Sequence, residues 1–259
     1  MRFFNKIFKV LLILIFLSSF TMAIEIKNIS EAVDVAGKQR MFTQRLLKDY
    51  TMIGMGNTFG NPKDDLKKVL DSFEDHMDSL DKFTKDADTK KSIQKAKKLW
   101  SPIKSKLTGT PTKESAKKLQ EDLETLLKEA DNTTKLFAKQ TGKKSGEIIN
   151  MSGRQRMLSQ RMASLYMLKV WGIDDSQFTQ KMKSSMNLFK TSLQTLTKYD
   201  KNTQEISTLL KKVKRSFMFF EIMNRSKSKF IPSLIYKKSN DILKNMNSAT
   251  GLYAALKEN

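Results

Sequence analysis

An all-α fold, arranged as two tandem four-helix-bundle repeats behind a cleavable signal peptide, is predicted by three observations. Sliding the 259-residue chain against itself by 116 positions superimposes Gly37 on Gly153, Gln39 on Gln155, Arg40 on Arg156, Met41 on Met157, Gln44 on Gln160, Arg45 on Arg161 and Tyr50 on Tyr166. The same offset pairs Phe73 with Phe189, Leu127 with Leu243 and Ala138 with Ala254, the mark of a duplicated supersecondary unit. Apolar residues recur at three and four positions, as in Phe73, Met77, Leu80, Phe83 and in Leu119, Leu123, Leu126, Leu127, which gives each helix one buried stripe. Alternation of β-branched residues, the sign of strands, is absent.

The elements follow in order. Residues 1–23 read as a secretory signal: Arg2, Lys6 and Lys9 precede the apolar run Val10 to Leu17, and Thr21 and Ala23 supply small residues for cleavage. The alternative is a retained N-terminal membrane anchor, for which the run is short. The first repeat is assigned to 24–143 and the second to 144–259. Gly54, Gly56 and Gly60 end a first helix, and Asn61-Pro62 with Asp64 and Asp65 opens a second. Asp88 is expected to cap a third helix that carries Trp100 and ends by Gly109; Thr110-Pro111 opens a fourth. The second copy has matching breaks near Gly172 to Ser176, Tyr199 to Thr203 and Lys229 to Pro232. Gly142 and Gly146 leave open whether the fourth helix runs into the fifth.

Composition excludes several chemistries. The chain has no cysteine, so disulfides and thiolate sites are ruled out. The single histidine, His76, lies in the charged run 73–78 and reads as a surface residue; no metal site, cofactor or catalytic constellation is expected, and the chain is read as a non-enzyme. Net charge is +21, or +18 once the leader's three basic residues are removed. Export and the scatter of lysines along amphipathic segments argue against nucleic acid, the run Lys211-Lys212-Val213-Lys214-Arg215 reading as a solvated helix face. A general attraction for anions, including an anionic membrane surface, follows from the charge.

One segment occurs twice and is unusual for a core helix: 36–45, AGKQRMFTQR, and 152–161, SGRQRMLSQR. Residues i, i+3 and i+7 share a helix face, so Gly37, Arg40 and Gln44 line up, as do Gly153, Arg156 and Gln160. Apolar Val33, Leu47, Ile149 and Ala163 extend these rows. A guanidinium in a buried stripe is destabilising unless an anion satisfies it. The anion is either a carboxylate from another helix or an external ligand. The acids lie mostly in polar runs such as Asp64-Asp65 and Glu121-Asp122, with none seen in the apolar stripe of a partner helix.

With these residues the chain resembles the N-terminal, PilJ-type sensor domain of type IV pilus methyl-accepting chemotaxis proteins, and is similar to the periplasmic domain of nitrate/nitrite sensor kinases. The shared pattern runs asparagine, two small or apolar residues, glycine, two residues, arginine, methionine, then serine or glutamine and a second arginine. Residues 150–162 match it nearly in full; the first copy departs at Asp34 and Lys38. The resemblance implies a four-helix bundle per copy and an anion held between two first helices by the arginine after the glycine, here Arg40 and Arg156. It leads to the expectation that the duplication builds, within one chain, the pocket that two sensor chains otherwise share, with Arg40 facing Arg156. Gln44 and Gln160 would orient the ligand. Arg45, Arg161 and Asn150 are secondary or structural, and Asp34, two turns from Arg40, is expected either to neutralise the site in part or to mark the first copy as decayed. Guanidinium matches a planar oxyanion such as nitrate or nitrite. Lacking a second span or transmitter, the chain is expected to be a periplasmic sensory or solute-binding protein acting through an envelope or membrane-sensor partner; the alternative is a structural or protein-interaction module of the envelope.

Overall fold

A computed structural model describes residues 24–141, 144–173, 175–225 and 231–256; the signal segment and Gly142 lie outside them. The first helix, α1 (Ile29–Gly54), begins where the Asn28 side chain accepts the Glu31 N–H at 2.9 Å. Gly56, at φ +67°, turns the chain away after its end. α2 (Pro62–Phe83) starts at the expected Asn61-Pro62, with Asn61 accepting from the Asp64 N–H. The cap of α3 (Ala87–Leu107) is Asp86, not Asp88: its carboxylate takes both the N–H and the hydroxyl of Thr89, at 2.8 and 2.6 Å, and Asp88 falls inside the first turn. Asp86 wins because a cap bonds the N–H three residues on, and there Thr89 offers a second donor. α4 (Lys113–Gln140) is capped by Thr112, just past Thr110-Pro111. α4 ends at Thr141 and α5 (Lys144–Val170) contains Gly146. α6 (Ser176–Thr197), α7 (Gln204–Arg225) and α8 (Pro232–Ala255) follow; the breaks before Ser176 and at Tyr199 to Thr203 fall as expected, α8 opens at Pro232, and Lys229 lies outside the described residues.

Tertiary packing sets α1 and α5 against each other. α1 is flanked by α2 and α4, and α5 by α6 and α8, while α3 rests on α4 and α7 on α8. Two four-helix bundles therefore share a seam. α2 buries one stripe, Leu66, Val69, Phe73, Met77 and Leu80, as its periodicity demands. α1 is different: between Ala32 and Met52 almost every residue is buried, because helices surround it. Polar side chains on α1 and α5 then need partners inside the protein. Gln39 donates to the Phe73 carbonyl at 2.9 Å and Gln155 to the Phe189 carbonyl at 3.0 Å, the same contact at the repeat offset, tying each central helix to the next.

His76 is buried, contrary to the surface position expected for it. It packs edge-on against Phe42 with ring centroids 5.1 Å apart, because α2 turns this residue toward α1 despite its charged sequence neighbours. Burial, followed by Lys38, depresses its pKa to about 4, against a smaller opposing pull from Asp34. A depressed folded pKa means stability that is complete above the ordinary histidine value and lost as pH falls toward 4. Urea titrations across this window are expected to lose up to about 3 kcal/mol, and His76→Leu is expected to flatten the loss.

A buried arginine pair at the seam of two repeats

Arg40 on α1 and Arg156 on α5 are both fully buried. Their surroundings repeat. Arg40 Nη1 donates to Asp131 of α4 at 2.7 Å and to the Asn150 side chain of α5 at 2.8 Å, and its Nη2 donates to the Asn150 carbonyl at 3.2 Å. Arg156 Nη1 donates to Asp34 of α1 at 2.8 Å and to Asn247 of α8 at 3.2 Å, and its Nη2 to the Asp34 carbonyl at 3.2 Å. Asp131 and Asn247 are equivalent positions, as are Asp34 and Asn150. Each arginine thus meets one carboxylate and one carboxamide with the two exchanged: Arg40 takes its carboxylate from its own repeat, and Arg156 takes it from the other.

This corrects one expectation: carboxylates do reach the apolar stripe. Asp34 does so across the seam, at Arg156 and not at Arg40 of its own helix. The reason is geometric: residues six apart on a helix point to different faces, whereas the α1–α5 contact sets Asp34 beside Arg156. The signal was present in the repeat alignment, where two Asp/Asn exchanges occur at the offset of the arginines. Asp131 and Asn247 were missed because their own helices read as polar there.

The two guanidiniums converge. A Cβ added at Gly37 would lie 3.1 Å from Arg156 Nη2 and 3.4 Å from Arg40 Nη2; one at Gly153 would lie 3.0 and 3.4 Å from the same atoms. The glycines are needed for this close approach. Gly153→Ala is expected to lower the unfolding free energy by about 1–3 kcal/mol, measured in urea. Electrostatics leave an excess of positive charge. Burial alone would raise the Asp34 carboxyl, but Arg156 and Lys38 hold it below its usual range; Asp131 is held down likewise by Arg40 and Lys135. Burial lowers Arg40 to about 10, with Arg154 and Arg156 adding to it against Asp131. Arg40, Arg156, Lys38, Lys135 and Arg154 thus surround two carboxylates. Nε of each central arginine is buried without a hydrogen-bond partner.

The other expected site residues occupy the neighbouring layer. Gln44 Nε2 donates to the Thr43 hydroxyl at 3.2 Å; Gln160 Nε2 donates to the Ser239 carbonyl at 3.0 Å, and its Oε1 accepts from Lys48 at 2.8 Å. Arg45 pairs with Asp65, and Arg161 with Glu124 at 2.8 Å, as structural ion pairs. Lys48 was not singled out from the sequence. It is fully buried, donates also to Asn240 at 2.7 Å and sits 4.1 Å over the Tyr236 ring. Its neighbour Asp49 is equally buried, 3.7 Å from Lys48 and within hydrogen-bonding reach of the Asp65 carboxylate. Ser164 and Leu165 stand at the equivalent positions of the second repeat, so this cluster breaks the internal symmetry. Among the described residues, no cluster of three or more His, Cys, Asp or Glu could hold a metal.

A duplicated helical bundle with an arginine motif repeated on its two central helices defines the class to which the chain belongs. The particular family is that described as type IV pili methyl-accepting chemotaxis transducer N-terminal, which matches residues 24–141 and again 137–217; the chain belongs to it. The two matches overlap over 137–141, at the end of α4, and the second runs into α7. No curated protein and no solved structure matches the chain. Domains of this family are sensing modules, typically periplasmic and non-enzymatic, that work with membrane signalling partners. No described helix is long and apolar enough to cross a membrane.

Proposed function

We propose that the chain is a periplasmic sensory or solute-binding protein for a small planar anion of the nitrate or nitrite type, taken up between Arg40 and Arg156, with assignment of 24–143 and 144–259 as the two cooperating repeats. The observation that carries this reading is the pair of buried guanidiniums, Nη2 groups converging on Gly37 and Gly153, inside a cluster where cations outnumber carboxylates. An anion placed there gains charge-assisted hydrogen bonds of roughly 1.5–3 kcal/mol each. Together with further donors, these are of the size needed for micromolar affinity. Because both arginines come from one chain, the signal passes as a change at the α1–α5 seam presented to a membrane-sensor partner.

A second reading rests on Asp34 and Asp131. They satisfy the arginines internally, which favours an envelope structural or interaction module in which the pair clamps the repeats. Asp34→Asn separates the two. It recreates at Arg156 the carboxamide that Arg40 finds in Asn150 and removes a competing negative charge. Calorimetric titration with nitrate and nitrite is expected to show about tenfold tighter binding in a less stable protein. Loss of stability with no anion heat in either protein gives the clamp reading.

A further inference from the structure

The corresponding hairpins of the two repeats differ in charge. Pro62–Leu107, spanning α2 and α3, holds twelve Lys and nine acids; Ser176–Arg225, spanning α6 and α7, holds ten Lys and Arg against three acids. α6 has no acid at all. The excess is displayed outward. On α6, Lys183 and Lys190 are exposed two turns apart; on α7, Lys211, Lys214 and Arg215 are exposed, followed along the same face by Met218 and Ile222. These last two are 49% and 57% exposed, the largest values among the exposed large hydrophobic side chains. Between the helices runs an open groove floored by Leu193 and Phe217. Glu221 stands 3.8 Å from Lys190; among the described residues, Lys183, Lys211, Lys214 and Arg215 form no ion pair.

We infer that the α6–α7 face is a docking surface for an anionic phospholipid bilayer, on which the bundle lies sideways with Met218 and Ile222 entering the headgroup region. Dispersed basic residues around a few protruding apolar anchors are the arrangement that peripheral adsorption requires. The dominance of lysine over arginine points the same way, because lysine is depleted from protein–protein interfaces and acts at a lipid surface as a long-range point charge. The first repeat, with its mixed charges, offers no such face.

The test is co-sedimentation of the chain from Ile24 onward, which keeps all eight described helices and lacks the apolar run Val10 to Leu17. Phosphatidylcholine vesicles are compared with vesicles that also contain phosphatidylglycerol. Binding is expected to be at least about tenfold stronger to the anionic vesicles and to be lost in high salt. Lys211→Glu/Lys214→Glu is expected to remove it and Met218→Ser/Ile222→Ser to weaken it. Lys67→Glu/Lys68→Glu on α2, exposed and of the same charge change, is expected to retain it. Equal loss in the α2 variant reduces the effect to net charge and overturns the proposal. Absence of binding to either vesicle also overturns it and leaves the face to an acidic protein partner.

Discussion

Arg156→Ala is expected to abolish anion binding and to lower the unfolding free energy by about 3–5 kcal/mol, the usual result of removing one member of a buried charged pair. The structural part arises because Arg156 holds Asp34 of the first repeat and Asn247 of its own, so its loss cuts one of the ties across the seam. Lys38 still pairs with Asp34 at 2.9 Å, which limits the damage to a folded, measurable protein. Arg156→Lys divides the two roles. An ammonium restores the charge opposite Asp34 but lacks the planar fork that matches an oxyanion, so stability should recover in large part while binding stays weak. Calorimetry and urea unfolding on both variants provide the check. Equal recovery of binding by lysine would show that only charge matters at this position.

Adjacent residues on α1 are expected to respond with opposite signs. Lys48→Ala leaves the Gln160 and Asn240 side-chain oxygens without their donor and should cost about 2–5 kcal/mol. Asp49→Leu should instead stabilise by about 1–3 kcal/mol. The carboxyl is fully buried, and burial, opposed by Lys48 and reinforced by the neighbouring Asp65, pushes its pKa well above 3.8, so the folded state carries a penalty that grows as pH rises above the ordinary carboxylate range. Leucine at position 165 shows that the equivalent place in the second repeat accepts an apolar side chain. Burial, opposed by Asp49, lowers Lys48 to about 8. Its contribution therefore improves as pH rises from 8 through its unfolded value, a limb of the stability profile that Lys48→Ala should lose. Destabilisation by Asp49→Leu would mean that its contacts with Lys48 and Asp65 outweigh the burial of the carboxyl.

The asymmetry of this cluster bears on why one chain carries both repeats. In a pair of identical chains, residues at the seam would occur twice. Here Lys48 of the first repeat reaches Gln160 and Asn240 of the second, and the Asp34 carboxylate reaches Arg156; with Ser164 and Asn150 at the equivalent positions, each occurs once. The exchange of Asp131 for Asn247 and of Asn150 for Asp34 keeps one carboxylate per arginine while committing the two halves to each other.

Much of this was open to inspection in the sequence, because it is local. The repeat offset, helix periodicity, and Asn61-Pro62 and glycine stops act over a few residues, and they determined the all-α class, the duplication and the helix breaks, apart from the Asp86 cap. The twice-repeated motif likewise marked Arg40, Arg156, Gly37 and Gly153 as unusual before any packing was known. Only the tertiary structure decided what those arginines touch, since Asp34 and Arg156 lie 122 positions apart and are brought together by the crossing of α1 and α5. The same packing buried His76, on the α2 stripe that faces α1, and it buried Lys48 and Asp49 on α1, where a helix enclosed on nearly all sides has no solvent face for periodicity to report.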